Sequence, residues 1–165
     1  MDPNLTQRPA WLTQQLFPAQ SRFMELDGHL IHYVDEGAGP TLLLLHGNPT
    51  WSFLYRHIIA GLRDQFRCVA LDYPGFGLSV ARPGYDLLPR SHSQVVERFV
   101  DALGLGQVTP FVQDWGGPIG LGYAGLHPER IDSLIVGNTM AWPVNDDFHF
   151  VSFSRAMGGA VGGPG

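Results

Sequence analysis

The residues able to do chemistry fall in three short motifs, each following an apolar run. His46-Gly47-Asn48-Pro49 comes after residues 42–45, Gly75-Phe76-Gly77-Leu78-Ser79 after residues 68–71, and Gln113-Asp114-Trp115-Gly116-Gly117 after residues 108–112. The third sits between a strand pattern and a helix pattern. A residue on such a sharp turn is pushed out at the top of a sheet, and small neighbours relieve the crowding. That is the logic of the nucleophile elbow, usually written G-x-S-x-G. Here the central residue is Asp114, and Val112 stands where the first glycine is usual. A lone Asp before a helix ordinarily reads as an N-cap. Gly116 and Gly117 just after it turn the reading toward a nucleophile.

A carboxylate nucleophile narrows the chemistry. Attack on an ester carbonyl would give a high-energy anhydride. Attack on an sp³ carbon with a good leaving group gives a stable ester. Asp114 therefore points to alkyl halides or epoxides, and its place at a helix N-terminus favours the anion.

The order HGNP, GFGLS, QDWGG resembles the haloalkane dehalogenases of the α/β-hydrolase superfamily, from about residue 23 to the end. The resemblance implies an α/β-hydrolase fold, a mostly parallel sheet flanked by helices, cut at the start of the cap. It implies hydrolysis of haloalkanes to an alcohol and halide through an alkyl ester on Asp114. HGxP and the Asp elbow are shared with epoxide hydrolases and fluoroacetate dehalogenases. Those relatives usually carry an aromatic residue where Asn48 stands, so Asn48 argues for the dehalogenases. Asn48 with Trp115 matches the halide-binding pair of many of them. The Asn48 amide and the Trp115 indole N–H are donors that strengthen as charge develops on a leaving halide. The backbone N–H groups of Asn48 and Trp115 would hold the oxyanion when water attacks the ester. An epoxide hydrolase would need acidic hydroxyls from the cap, whereas Tyr33, Tyr55, Tyr73, Tyr85 and Tyr123 all fall in the core part.

Ester hydrolysis needs a base, normally a His backed by a carboxylate. The resemblance places that His beyond Gly165. His46 reads as structural, His127 as a helix end, His149 as part of the connection to the cap. His29, His32, His57 and His92 read as ordinary surface or partly buried residues. Residues 137–140, Gly-Asn-Thr-Met, lack the acid that one branch of the family carries there. Asn138 resembles the branches with the acid after the next strand, and would hydrogen-bond near the site. Asp146 and Asp147 read as solvated or capping residues. The expectation is a chain that does not turn over alone, takes at most one alkyl group on Asp114, and has the C-terminal half as a separate chain for a partner. A catalytically incomplete fragment is the alternative.

Among the remaining motif residues, Gly75 and Gly77 suit a tight turn, Pro49 fixes the turn after Asn48, and Asp72 reads as structural. Trp51, Phe76 and Phe148 are candidates for either the pocket or the core.

The elements that must hold these residues follow from periodicity. Residues 22–26 and 30–34 are strand-like, with Asp27-Gly28 between them as a hairpin turn. Residues 42–45, 68–71, 108–112 and 131–136 are apolar runs typical of buried strands. Helices are expected at 51–63, with Thr50 as N-cap and Leu54, Ile58 and Leu62 on one stripe. Another opens at Ser91 with Gln94 as a capping box, puts Val95, Val96, Phe99 and Leu103 on one face, and closes at Gly104. Two more are expected at 115–126 and 147–157. Alternating strands and helices argue for a parallel sheet covered on both faces, with the hairpin as its antiparallel edge. A chain stopping at Gly165 is expected to leave the buried-type strand 131–136 as an unpaired edge.

The chain divides into an N-terminal arm, 1–20, with a helical turn expected at 11–16, a core part, 21–142, and the start of a cap, 143–165, with a Gly-rich end. Its 165 residues, 44% hydrophobic and 15% charged, suit a folded domain. A net charge of −5 with scattered basic residues argues against nucleic acid. One cysteine, Cys68, and no leader or long apolar run point to the cytoplasm, without a membrane. The histidines lack ligand spacing for a metal and no nucleotide or flavin fingerprint appears, so haloalkane, water and halide are the only small molecules expected.

Overall fold

In β3 (Thr41–Leu45) and β4 (Arg67–Leu71), alternate residues are buried on opposite faces of one sheet. Leu43, Leu45, Val69 and Leu71 enter one core, and Leu42, Leu44, Cys68 and Ala70 enter a second. Period-two alternation with both faces apolar demands cover on both sides. The first core is closed by α2 (Pro89–Ala102) and α3 (Gly116–Leu126), the second by α1 (Arg56–Leu62) and the N-terminal segment. The computed structural model describes residues 7–140. The helix expected at 147–157 and the residues Asp146, Asp147, Phe148 and His149 lie outside them.

Among the described residues six strands run in the order β1-β2-β4-β3-β5-β6. The hairpin β1 (Arg22–Leu26) and β2 (His29–Glu36) pairs antiparallel through Asp27 and Gly28, whose φ values of 50° and 80° match a type I′ turn. β2 joins β4 antiparallel. From β4 through β3 and β5 (Val108–Asp114) to β6 (Ile135–Thr139) every pair is parallel. Parallel order brings the loops after β3, β4 and β5 to one end of the sheet, which is where the three motifs lie.

Four expectations are corrected. The helix expected at 51–63 is a 3₁₀ turn, Ser52–Tyr55, followed by α1. The tighter turn shifts the angular phase, so Tyr55 and Ile59 are buried and Leu54 is 41% exposed. Thr50 caps neither segment; its hydroxyl donates to the Gly47 carbonyl. α2 starts at Pro89 rather than at a Ser91 capping box, because proline's fixed φ and missing N–H suit a first helical turn. The strand expected at 131–136 is Ile135–Thr139, and Ile131 makes only an isolated bridge to Val108.

The segment before β1 is anchored. Leu12, Phe17 and Ala19 are buried in the second core. The Arg8 guanidinium donates to the carbonyls of Leu12, Thr13, Phe17 and Ala19, and lies over the Phe17 ring. Within the described residues β6 pairs only with β5, and its Ile135 and Val136 are exposed. No helix there is long and apolar enough to cross a membrane.

Candidate active site

Asp114 is the last residue of β5, and α3 begins two residues later. Its φ is +52°, a left-handed conformation that L side chains resist, as an elbow requires. Three neighbours hold it there. The Thr139 hydroxyl donates to the Asp114 carbonyl. A bulge at Asn138, with φ +45°, sets Thr139 opposite Asp114. The Asn48 backbone N–H donates to Asp114 Oδ1 at 2.8 Å. Asn138 itself is exposed and makes no hydrogen bond to the site among the described residues, so the contact expected of it belongs to Thr139.

Close approach explains the glycines. A Cβ at Gly47 would overlap the Asp114 carboxylate, and one at Gly116 would overlap the Leu45 carbonyl. A Gly116→Ala variant is therefore expected to lose about 1–3 kcal/mol by overpacking. A thermal melt would show a fall of roughly 2–4 °C per kcal/mol. Gly106→Ala, with open space around its Cβ position, is the control. Equal melting of the two variants would refute the crowding argument.

Behind the elbow, His46 is fully buried. Its Nε2 accepts the Tyr73 N–H at 3.2 Å, so Nδ1 carries the proton and donates to the Gly47 carbonyl at 2.8 Å. Burial pushes its pKa down, against the raising effect of the Gly47 hydrogen bond. Both nitrogens are committed, which leaves His46 the structural role read from sequence. Asp72, also fully buried, accepts the Ser52 N–H, the Leu78 N–H and His32 Nδ1. It thereby ties the loops after β3 and β4 to β2. Gly77 passes so close that a Cβ would strike this carboxylate.

A cleft of about 280 Å³ opens beside the elbow. Asn48, Trp115, Phe76, Leu88, His92 and Ile119 line it. Phe76 thus faces the cleft, whereas Trp51 packs against Phe17 and Phe53 in the second core. His29, His32 and His92 are 2%, 0% and 3% exposed, which corrects their reading as surface or partly buried residues. For His92 the signal was available. Positions 92, 95, 96 and 99 share one helical face, so the histidine must enter the core with Val95, Val96 and Phe99. Burial pushes its pKa down to about 4. Among the described residues no histidine nitrogen hydrogen-bonds Asp114.

Residues 40–163 match the α/β hydrolase fold family, and the chain belongs to it. The chain is 50% identical over 143 residues to haloalkane dehalogenase 2 of Mycobacterium tuberculosis, covering 87% of this chain and 50% of that protein. It is 39% identical over 135 residues to cis-3-alkyl-4-alkyloxetan-2-one decarboxylase of Shewanella oneidensis, covering 79% and 42%. Its structure resembles haloalkane dehalogenase DatA of Agrobacterium tumefaciens (TM-score 0.73, 31% identity, 83% of this chain and 48% of that one). It also resembles an epoxide hydrolase of Bacillus megaterium (TM-score 0.73, 28% identity, 83% and 50%). The chain spans about half the length of these relatives.

Proposed function

We propose that this chain carries the nucleophilic half of a haloalkane dehalogenase, EC 3.8.1.5, with Asp114 attacking the halogen-bearing carbon. The observation that carries this reading is the Asn48 N–H on Asp114 Oδ1. It divides the two carboxylate oxygens. Oδ1 is held as the future ester carbonyl, and Oδ2 is left to form the bond to carbon as the halide departs. The same N–H then faces the oxygen on which negative charge builds when water attacks, which is where a fixed donor acts most strongly. The backbone N–H of Trp115 is the second proposed donor; among the described residues it makes no hydrogen bond to the carboxylate.

Trp115 follows Asp114 directly in sequence, Asn48 reaches it from the loop after β3, and both line the same cleft, which suits a shared halide site. The base, the acid that orients it, and the cap that sets substrate length belong in this reading to residues beyond those described, carried by a C-terminal half. The chain by itself would then stop at the ester. A cytoplasmic setting remains part of the proposal. Epoxide hydrolysis is the second reading, favoured by the likeness to the Bacillus megaterium enzyme.

Replacing Asn48 by Ala or Trp115 by Phe is expected to slow ester formation from 1-bromobutane by about 10²–10³ each, the usual cost of removing one donor to a developing anion. The rate of mass gain on the intact protein measures it. Chloride should quench the wild-type tryptophan emission and quench it less in Asn48→Ala. Unchanged rates in both variants would remove the halide pair from the mechanism.

A further inference from the structure

Two buried polar atoms on residues that line the cleft have no hydrogen-bond partner among the described residues. Tyr73 Oη and His92 Nε2 are both buried, and neither makes a hydrogen bond among the described residues. Both residues line the cleft beside Asn48 and Trp115. Their rings lie 5.0 Å apart and inclined at 36°. Tyr73 is 1% and His92 3% exposed, so bulk water does not satisfy them. A buried polar group left unpaired is costly, and here two residues with neighbouring rings each carry one.

The other ring nitrogen limits what can fill the gap. His92 Nδ1 is 3.0 Å from Tyr85 Oη. If Tyr85 donates, Nε2 carries a proton and is a donor; if it accepts, Nε2 is a bare acceptor. The Tyr73 hydroxyl rotates and serves either way. A hydroxyl oxygen, which donates and accepts at once, complements both arrangements. A halogen or a methyl group complements neither.

We propose that Tyr73 and His92 form a hydroxyl-binding pole in this cleft, occupied by one water molecule or by the hydroxyl of an alkanol. It rests on the reading of this cleft as the substrate site, and adds a preference that the elbow does not supply. Ligands with a hydroxyl group placed away from the reacting carbon would be held better than their plain alkyl counterparts. Removal of the histidine's charge by burial keeps a neutral imidazole there across the physiological range.

The test uses 1-hexanol and 1-fluorohexane, which differ by one hydroxyl in place of one fluorine and offer Asp114 no good leaving group. With ¹⁵N-histidine-labelled protein, 1-hexanol is expected to move the His92 Nε2 resonance and 1-fluorohexane to leave it in place. Tyr73→Phe, which keeps the ring, should weaken 1-hexanol binding about five- to tenfold, the scale of one hydrogen bond, and leave 1-fluorohexane binding unchanged. His92→Gln, which keeps a donor and an acceptor, should retain part of the difference. A crystal grown without ligand distinguishes the two occupants: density within hydrogen-bond distance of either atom marks water, and 1-hexanol should displace it. Equal weakening of both ligands by Tyr73→Phe, or an immobile His92 signal with 1-hexanol bound, overturns the proposal. The dehalogenase reading fails by a different result, an absent ester on Asp114, and neither ligand here needs that ester.

Discussion

Asp114→Asn is expected to abolish alkylation of this chain by a short 1-bromoalkane. Wild-type protein should gain one alkyl group, found by fragmentation on the peptide that holds Asp114. The variant should gain none, a fall of roughly 10⁴–10⁶ in rate, the scale on which loss of a nucleophile acts. The substitution is close to isosteric. Its amide oxygen can still accept the Asn48 N–H that now reaches Oδ1, so the elbow keeps its main tether. What disappears is the second, anionic oxygen and with it the attack on carbon. Labelling of the variant at the wild-type rate would place the reactive group elsewhere and end the argument. Offering the wild type an epoxide in parallel separates the two readings. An adduct with the epoxide but none with the bromoalkane would favour the epoxide hydrolase.

The second large effect lies behind the site. Asp72→Asn is expected to cost about 3 kcal/mol, the upper range for a buried donor left without its acceptor. That is a large share of the roughly 5–15 kcal/mol that holds a typical domain together. Three donors meet this carboxylate, the Ser52 and Leu78 N–H groups and His32 Nδ1. An asparagine presents one oxygen and one NH₂, so at least one donor faces another donor in either orientation. Because Asp72 ties together the loops after β3 and β4, the loss should reach Asn48 as well as global stability.

The same group gives a pH dependence with a definite sign. Burial would push the Asp72 carboxyl up, but the His32 hydrogen bond and charge, with the Leu78 and Ser52 N–H groups, outweigh it and hold the carboxyl below its usual value. A folded value below the unfolded value of about 4 means the stabilisation is complete above pH 4 and is lost as the pH falls through the folded value. Urea midpoints for wild type and Asp72→Asn should therefore differ most near pH 7 and converge in acid. Equal midpoints at pH 7 would show that Asp72 is not the tie described.

What the sequence determined by itself was local in its physics. Apolar runs of four or five residues marked β3, β4 and β5, because a strand buried on both faces has no polar side to show. Asp27-Gly28 marked the hairpin, because two successive left-handed residues are what its turn needs. The Asp between a strand pattern and two glycines marked the elbow. Tertiary structure decided the rest. The turn after Trp51 is 3₁₀, and its first residue, Ser52, gives its N–H to Asp72, twenty residues on, a partner that no local pattern names. The start of β6 depends on its register against β5, and the bulge at Asn138 hands the Asp114 contact to Thr139. The pairing of Tyr73 with His92 joins a loop to a helix, and no local pattern encodes it. Periodicity tells which side chains share a face; only packing tells which polar atoms on facing elements are left without a partner.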